Sequence, residues 1–431
     1  MTRDGGAGVA APLHKDVLFK CLWLVVAAGS SLVGVAFARN RLDSFRLPKI
    51  ALYEAEAIVC LALLLMLLLW RRREVVNELR DHRLPLSIAA AAVIWTAVSS
   101  LLSTNRTLSI PAMIWVASCA MVFVATLLVA RLGHGTILAH LPLLAAAINA
   151  VFALTQRSGW FSPTAFEDKT PEQYRISALI GNPNDLGVYM FLCGLCAVAL
   201  AVAYRGRKQW LNALSVLLIA ALLATQTVSA LIAFGMAVLV MTVLLTRRVK
   251  VAALVVAGAL LVIVIIPPLR NRAMYIGNLV REGSFTRATS FRLPAYLVAW
   301  KLFLDHPVAG AGPGTYGWWY LPYKMQLNAT HPTFRDAVEN FGEAHNDHLQ
   351  TLAVSGIPGY LIFLGAIVSL AVLSFRNVDR EIRSRFAHAL ALPLAAGFAV
   401  VTLAQFPLEL ASTASVAIHY AALCCAWAAK Q

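Results

Sequence analysis

Residues 48–83 read PKIALYEAEAIVCLALLLMLLLW, followed directly by RRREVVNELRDHR. The first part is an apolar run of the length that a helix needs to cross a hydrocarbon core of about 30 Å. The second part is short, polar and rich in arginine, as loops on the cytoplasmic side of a membrane usually are. This segment therefore predicts a membrane-spanning helix that ends at the cytoplasmic surface.

The same pattern recurs along the chain, which has 431 residues, 60% of them hydrophobic and only 13% charged. Soluble domains are usually about 45–50% apolar and about 25% charged. The sequence predicts an all-α polytopic membrane protein with about twelve transmembrane helices. Their approximate ranges are 17–38, 48–70, 85–103, 108–130, 135–155, 183–204, 210–226, 228–246, 251–268, 356–375, 386–406 and 408–429.

The first apolar run is longer than the core of a signal peptide, which has about 7–15 apolar residues, so we expect it to be retained as an anchor. The seven cysteines all lie inside apolar runs. Their positions favour small apolar packing residues over a disulfide framework.

Basic segments predict the orientation of the bundle. Residues 71–83, 205–208, 247–250 and 376–385 are rich in arginine and lysine, and all four fall on one side of the twelve predicted spans. With that side in the cytoplasm, both termini are cytoplasmic. The basic loop 39–46 falls on the opposite, outer side and is an exception to the rule.

The loop from about 269 to 355 lies on the outer side and is far longer than an ordinary connection. It divides the chain into residues 1–268 with nine spans, the loop 269–355, and residues 356–431 with three spans. Within the loop, residues 294–307 show apolar residues at helical spacing and a proline at the start, which predicts an amphipathic helix on the membrane surface. Trp300 and neighbouring aromatic residues serve either as interfacial anchors or as platforms for sugar rings.

The net charge of +15 is partly explained by the cytoplasmic segments. The outer side also carries many arginines, which the positive-inside rule does not explain. Guanidinium groups hold phosphate through paired N–H donors, so we expect an anionic, lipid-linked ligand and no nucleic acid. The alternative is that these side chains are simply solvated. They are Arg157, Arg175, Arg270, Arg272, Arg281, Arg287, Arg292 and Arg335.

The first candidate site is RISALIGNPNDLGVYMF, residues 175–191. Asn182 followed by Pro183 is a favourable helix start, and Asn184 continues its polar edge. A helix N-terminus at the outer surface attracts anions, and Arg175 lies close enough in sequence to complete such a site. The alternative is an ordinary cap with an interfacial arginine.

The second candidate site precedes the amphipathic helix. Arg287 and Arg292 stand just before it, and their donors could reach a phosphate at the bilayer surface. Solvated or headgroup-bound arginines are the alternative. Gly310, Gly312 and Gly314 follow the helix and predict a tight turn that lets the backbone approach a ligand.

The third candidate site is GEAHNDHLQ, residues 342–350. His345 and His348 are spaced i, i+3, with Glu343 and Asp347 beside them. Imidazole and carboxylate groups suit zinc, whereas a single histidine near neutral pH suits proton transfer from a hydroxyl group. An interfacial histidine that caps the next span is the third interpretation, and the residues alone leave all three open.

His345-Asn346, nine further residues and then Gly356-Ile-Pro-Gly359 resemble the H-[N/S/Q]-x9-G-x-x-G motif of the O-antigen ligase family of bacterial inner membranes. Three other segments are similar to the wider ligase/polymerase superfamily: Arg175 with GNPNDLG, the stretch from Arg292 to Trp300, and DHPVAGAGPGTY. One departure is that many members carry Ser-Arg where this chain has Ser229-Ala230.

The resemblance implies a metal-independent, inverting glycosyltransferase of the membrane-embedded GT-C class that needs no cofactor. It would transfer a glycan from undecaprenyl diphosphate to a sugar hydroxyl of lipid A–core, in the inner membrane of a Gram-negative bacterium and facing the periplasm. Arg175 and Arg292 would grip the diphosphate, with Arg287 as a weaker third cation, and His345 would act as base or positioning residue. The further substrate-binding candidates are Asn182, Asn184, Asn346 and Trp300.

Two groups of alternatives remain. An O-antigen polymerase and a protein O-oligosaccharyltransferase would use the same donor with a different acceptor. A transporter would also have about twelve spans, but transporters usually place polar residues near the bilayer midplane and show internal repeats. Here the polar chemistry gathers at the outer face, which favours an enzyme.

Overall fold

The structure is a computed structural model that describes residues 13, 16–38, 43–132, 136–160, 176–330, 334, 340–376 and 378–428. Every extended regular element in these ranges is helical. The α-helices are α1 (Val17–Leu32), α2 (Arg46–Leu79), α3 (Arg83–Leu101), α4 (Arg106–Leu132), α5 (Ile137–Arg157), α6 (Pro183–Ala203), α7 (Gln209–Thr225), α8 (Val228–Thr246), α9 (Val249–Ile265), α10 (Pro267–Arg281), α11 (Phe285–Ala288), α12 (Leu293–Asp305), α13 (Tyr316–Thr330), α14 (Asp347–Val372), α15 (Ile382–Val401) and α16 (Ala411–Ala428).

Helices α1 to α9 and α14 to α16 occupy the twelve places at which the sequence predicts spans. Among the described residues, eight helical stretches are long and apolar enough to cross a membrane, and the longest of them, Arg46–Leu101, consists of α2 and α3 together. The chain is therefore a multi-pass, all-helical membrane protein. The number of crossings stays a prediction.

The described residues between α9 and α14 form four helices. Of these, α12 corresponds to the amphipathic helix predicted at residues 294–307. Its apolar face packs against α13 and α14, so that Ala295, Val298 and Leu302 are fully buried. Together α12, α13 and the first turns of α14 build a small, separate hydrophobic core at one end of the bundle.

Helix α14 begins nine residues earlier than its predicted span. The apolar run starts only at Gly356, but Asn346 already caps the helix by accepting a hydrogen bond of 2.9 Å from the Leu349 backbone N–H. The first turns of α14 are therefore polar, and they carry Asp347 and Gln350 into the protein. The hydropathy of the sequence predicts only the apolar part of this helix, whereas the Asn346 cap determines where the helix starts.

The bundle has two chemically different ends. We call the end with the first residues of α2, α6 and α14 the site end. The opposite, basic end carries residues 71–83, 205–207 and 380–385. At the basic end Arg131 of α4 approaches Glu78 and Asp81. The structure thus brings these basic segments to one end, as the sequence predicts.

A kink in α14 explains the glycines of the sequence motif. Gly356 has φ +64° and ψ −169°, which interrupts the helix, and a Cβ atom there would overlap the Val308 carbonyl oxygen. The interrupted backbone pairs with the glycine turn after α12, because Ala311 N donates to Ala353 O at 2.9 Å and Ile357 N donates to Pro307 O at 3.0 Å.

This pairing gives the glycine turn a packing role. Gly310, Gly312 and Gly314 let the backbone approach other helices, and the approach of a ligand stays a prediction. A Cβ atom at Gly310 would overlap the Val354 backbone, and one at Gly312 would overlap Ser103 after α3. The turn therefore locks α12 onto α14 and holds the start of α14 in place.

Replacement of Gly356 by alanine should destabilise the fold by about 2 kcal/mol or more, since it combines a left-handed backbone with a steric overlap. Gly365 is the matched control, because it lies in the same helix and a Cβ atom there meets nothing within 4 Å. Gly365→Ala should change stability by no more than about 1 kcal/mol. Thermal unfolding of the purified variants measures both, and equal melting temperatures would contradict the proposed lock.

Candidate active site

An open cavity of about 560 Å³ lies at the site end, between the start of α2, the start of α6, the start of α12 and the loop that precedes α14. Its lining includes His345, Arg292, Asn182 and Asn184, which the sequence analysis singled out. It also includes Ile180, Gly181 and Asp185 of the first candidate segment and Glu343 of the third. The remaining lining residues belong to no candidate site of the sequence analysis and are Asp43, Ser44, Phe45, Arg46, Gln405 and Phe406.

His345 lies between two aromatic rings at the wall of this cavity. The ring centroids of Phe341 and Phe406 are 5.1 Å and 4.6 Å away, both edge to face. Its backbone has φ +53°, a left-handed conformation that is uncommon outside glycine. The Ala344 N–H donates to Gln350 Oε1 at 2.6 Å, which anchors the preceding residue to α14.

The charge state of His345 is set by its surroundings. Burial, followed by the positive charges of Arg292 and Arg46, lowers the pKa of His345 to about 3. Its Nδ1 atom is buried and has no hydrogen-bond partner among the residues that the structure describes. The imidazole is therefore neutral near pH 7, which is the form that can accept a proton.

Arg292 is the N-cap residue of α12 and reaches across to α15. Its Nη1 donates to the Ala404 carbonyl at 2.9 Å. The side chain also interacts with the Tyr296 phenol, one helical turn further along α12. These contacts orient the guanidinium group at the cavity wall, where its planar donors suit a phosphate oxygen.

Arg46, the first residue of α2, brings a second guanidinium group to the same cavity. Its Nη2 forms an ion pair with Glu343 Oε1 at 2.9 Å, and its Cζ lies 5.7 Å from the centroid of the Phe406 ring. The side chains of Arg46 and Glu343 are 40% and 25% exposed, so the pair is open to a competing ligand. In the sequence, the signal for Arg46 was the basic loop 39–46, an exception to the positive-inside rule.

Buried Lys49 fixes two walls of the cavity to each other. Its Nζ donates to the carbonyl groups of Ala36 at 2.6 Å, Phe45 at 3.2 Å and Leu179 at 2.8 Å. The Phe45 ring in turn fills the space where a Cβ of Gly181 would lie. The start of α2 and the turn before α6 are thereby held together, and Arg46 is held beside that turn.

The predicted cap of α6 is present. Asn182 Oδ1 accepts a hydrogen bond of 2.8 Å from the Asn184 backbone N–H, and Pro183 occupies the first helical position. The N-terminal end of α6 therefore opens into the cavity. Asp185 also lies in the lining, so the cavity contains carboxylates as well as guanidinium groups.

The other predicted site residues are placed differently. Asn346 is buried, and it joins α14 to the end of α15 through a 2.9 Å hydrogen bond from its Nδ2 to Leu403 O. Arg287 is exposed on the short α11, and Trp300 is partly exposed with its ring against Phe303. The described lining of the cavity includes none of these three residues. Arg175 lies outside the described residues.

His348 has a packing role. Its Nδ1 lies 3.2 Å from the Tyr360 hydroxyl, and its Nε2 lies 3.0 Å from the Thr402 hydroxyl and 3.2 Å from the Ala399 carbonyl. Both nitrogens thus have protein partners, Nδ1 within α14 and Nε2 in and directly after α15, which disfavours a metal site shared with His345. Across the described ranges, no three His, Cys, Asp or Glu side chains are grouped to hold a metal ion.

A second cavity, of about 390 Å³, is an apolar groove along α3, α4, α14 and α16. It extends from Pro85, at the basic end of α3, to Pro313, at the site end. Its polar part is at the site end, where Gln350 Nε2 donates to Glu409 Oε1 at 2.9 Å beside Asp347. His345 lines the polar cavity and Asp347 lines the groove, so residues only two positions apart line the two spaces.

Comparison with known families supports the resemblance seen in the sequence. Residues 213–364 match the family described as O-Antigen ligase. The matched range includes Arg292, His345 and the motif that ends at Gly359, whereas Arg46 and the start of α6 lie before it. A comparison with curated proteins gave no match.

Proposed function

We propose that this chain, of which residues 213–364 match the O-antigen ligase family, is a glycosyltransferase that transfers a glycan from undecaprenyl diphosphate to a sugar hydroxyl of lipid A–core. The observation that carries this proposal is the grouping of Arg46, Arg292 and a neutral His345 around one cavity, in a bundle that also has an apolar groove along α3, α4, α14 and α16. The basic end would lie in the cytoplasm, together with both termini. The cavity would then face the periplasm of a Gram-negative inner membrane.

The diphosphate of the donor is the leaving group in this reaction. The acceptor oxygen attacks the anomeric carbon of the transferred sugar with inversion, while the bond from that carbon to the diphosphate oxygen breaks. The electron pair of that bond leaves with the diphosphate. Guanidinium groups at fixed positions stabilise the charge that develops there, which is the role we assign to Arg292, Arg46 and Arg175, with Arg287 as a weaker contributor.

His345 accepts the proton of the acceptor hydroxyl in this mechanism. Without donor, burial and, after it, the two nearby guanidinium groups keep the pKa of His345 low. A bound diphosphate would neutralise these positive charges, so the pKa of His345 would rise and the imidazole would become a stronger base. The base would therefore gain strength when the donor is in place. No metal ion is required in this mechanism.

The ion pair between Arg46 and Glu343 is the point at which the donor would enter. A pair this exposed is weak, and a diphosphate offers Arg46 more negative charge than one carboxylate does. Arg46 would exchange Glu343 for the phosphate, and Glu343 would become free to contact the acceptor sugar. The apolar groove would hold the polyprenyl tail, since its lining is apolar along the depth of the bundle.

The acceptor is tested by transfer with defined substrates. The purified chain is given a labelled, lipid-linked glycan together with lipid A–core, with a pilin-like protein, or with the glycan donor alone. We expect label on lipid A–core and an unchanged yield in the presence of a chelator. Label on longer donor-linked glycans would instead identify a polymerase, label on the protein would identify a protein O-oligosaccharyltransferase, and loss of activity with the chelator would exclude the metal-independent mechanism.

Replacement of His345 by alanine should lower the transfer rate by at least about 100-fold, because a general base contributes about that much. His306→Ala is the control, since His306 lies in the same outer region but outside the described lining of the cavity. Both variants are compared at equal amounts of folded protein. Transfer by His345→Ala at the rate of the His306→Ala control would exclude His345 as the base.

Removal of the Arg46 guanidinium group should have two effects. Arg46→Gln should lower kcat/KM by about 100-fold through lost charge stabilisation. It should also raise the pKa of His345, because one of two neighbouring cations is gone, so the loss of kcat/KM at low pH should begin at a higher pH. His345 must be neutral to act, which fixes the direction of this shift.

The pH profile of kcat/KM for the two enzymes measures this shift. Arg281→Gln is the matched control. It also removes one positive charge, but Arg281 is exposed on α10, away from the cavity. An acid limb that is the same in Arg46→Gln and Arg281→Gln would contradict the electrostatic link between Arg46 and His345.

A further inference from the structure

A second cationic cavity, which we call the basic pocket, lies at the opposite end of the bundle from the candidate active site. It has a volume of about 440 Å³ and lies between the end of α6 and the start of α15. Its lining consists of Tyr204, Arg205, Arg207, Arg380, Ile382 and Arg385. In the described part of the chain, four arginines and no carboxylate face this space. The composition of the lining therefore suits an anion.

The side chain of Arg385 indicates that the basic pocket lacks a hydrogen-bond acceptor for one of its donors. Its Nε atom is buried and makes no hydrogen bond within the described ranges. A buried donor on a charged group costs free energy when it stays unpaired. A ligand with oxygen acceptors would supply the missing partner, and the first turn of α15 adds the positive end of its helix dipole at the same place.

The backbone after α6 holds the other arginines in position. Arg205 and Gly206 have φ +54° and +69°, and their N–H groups donate to Val202 O at 2.9 Å and Ala201 O at 3.0 Å. This tight ending turns the chain back toward α15 and carries Arg207 with it. The arginines are therefore positioned by a defined turn.

The surroundings of the basic pocket are those of a membrane interface. Tyr204 is fixed by a 2.6 Å hydrogen bond between its hydroxyl and Thr136, and Lys208 Nζ lies 4.4 Å from the centroid of its ring. Trp210 is 49% exposed at the start of α7, which is typical of an interfacial anchor. The pocket thus lies where two long apolar helices leave the hydrocarbon region.

We propose that the basic pocket binds the phosphate of an anionic phospholipid from the leaflet at the basic end. Basic pockets between transmembrane helices at this depth suit such headgroups, and the guanidinium forks suit phosphate oxygens. The ligand would join α6 to α15, which pack together and reach Asn182 and Gln405 of the candidate active site at their other ends. Binding should therefore stabilise the protein, whether or not the proposed reaction is correct.

The test compares the full chain with two double variants in phosphatidylcholine nanodiscs. Arg205→Gln/Arg385→Gln removes two charges from the basic pocket. Arg72→Gln/Arg73→Gln is the matched control, since it removes two charges from exposed positions of the same end that are not part of the described pocket lining. Thermal unfolding is followed as phosphatidylglycerol replaces phosphatidylcholine, and separately as inorganic phosphate is added at constant ionic strength.

We expect phosphatidylglycerol to raise the melting temperature of the wild type and the control by several degrees, and the pocket variant to lose most of this gain. An equal gain in all three proteins, or none in the wild type, would overturn the proposal. Stabilisation by inorganic phosphate alone that disappears in the pocket variant would overturn the lipid assignment in favour of a free phosphate.

A charge-conserving variant covers the case in which the glutamine variant does not fold. Arg205→Lys/Arg385→Lys keeps the two charges but lacks the planar forks, so it should bind phosphatidylglycerol more weakly than the wild type does. Native mass spectrometry measures lipid retention by this variant. Equal retention of phosphatidylglycerol and phosphatidylcholine by the wild type in that experiment would also contradict a headgroup site.

Discussion

Positive charge beside a buried imidazole is the interaction on which the candidate active site depends. Arg46 and Arg292 approach the cavity from different helices, and burial together with these charges keeps His345 neutral. The same two guanidinium groups are the obvious partners for an anionic ligand. In the proposed reaction, one arrangement would therefore both attract the ligand and keep the base neutral.

Such a site requires irregular backbone next to a membrane, and that backbone must still satisfy its hydrogen bonds. The turn before α6 shows how this is achieved. Asn149 Oδ1 accepts from Leu179 N, Gln156 Oε1 accepts from Ala178 N, and Lys49 donates to the Leu179 carbonyl. Polar side chains inside the bundle thus replace the solvent that this turn would otherwise need. Lys49 in particular joins the start of α2 to the turn before α6, so the packing of α2 affects the shape of the cavity.

Features that depend on nearby residues could be predicted from the sequence, and features that depend on distant residues could not. The caps at Asn182 and Asn346 follow from local chemistry, although only the structure shows that Asn346 lies away from the cavity. The Arg46–Glu343 pair joins residues 297 positions apart, so no local pattern reveals it. The contact between Gly356 and the turn at Gly310 also joins residues that are distant in the sequence. For this reason the sequence alone predicts only that the turn approaches a ligand.

The left-handed conformation of His345 follows from the position of the two spaces that flank it. His345 must face the polar cavity, while Asp347, two residues later, begins α14 and faces the apolar groove. An extended chain would point the side chains of residues two positions apart to the same side. The positive φ at His345 provides the turn, Gln350 and Asn346 hold it from the α14 side, and Thr402 accepts the Asp347 N–H at 2.9 Å. Backbone strain at His345 is therefore the consequence of placing a polar cavity and an apolar groove on opposite sides of one short segment.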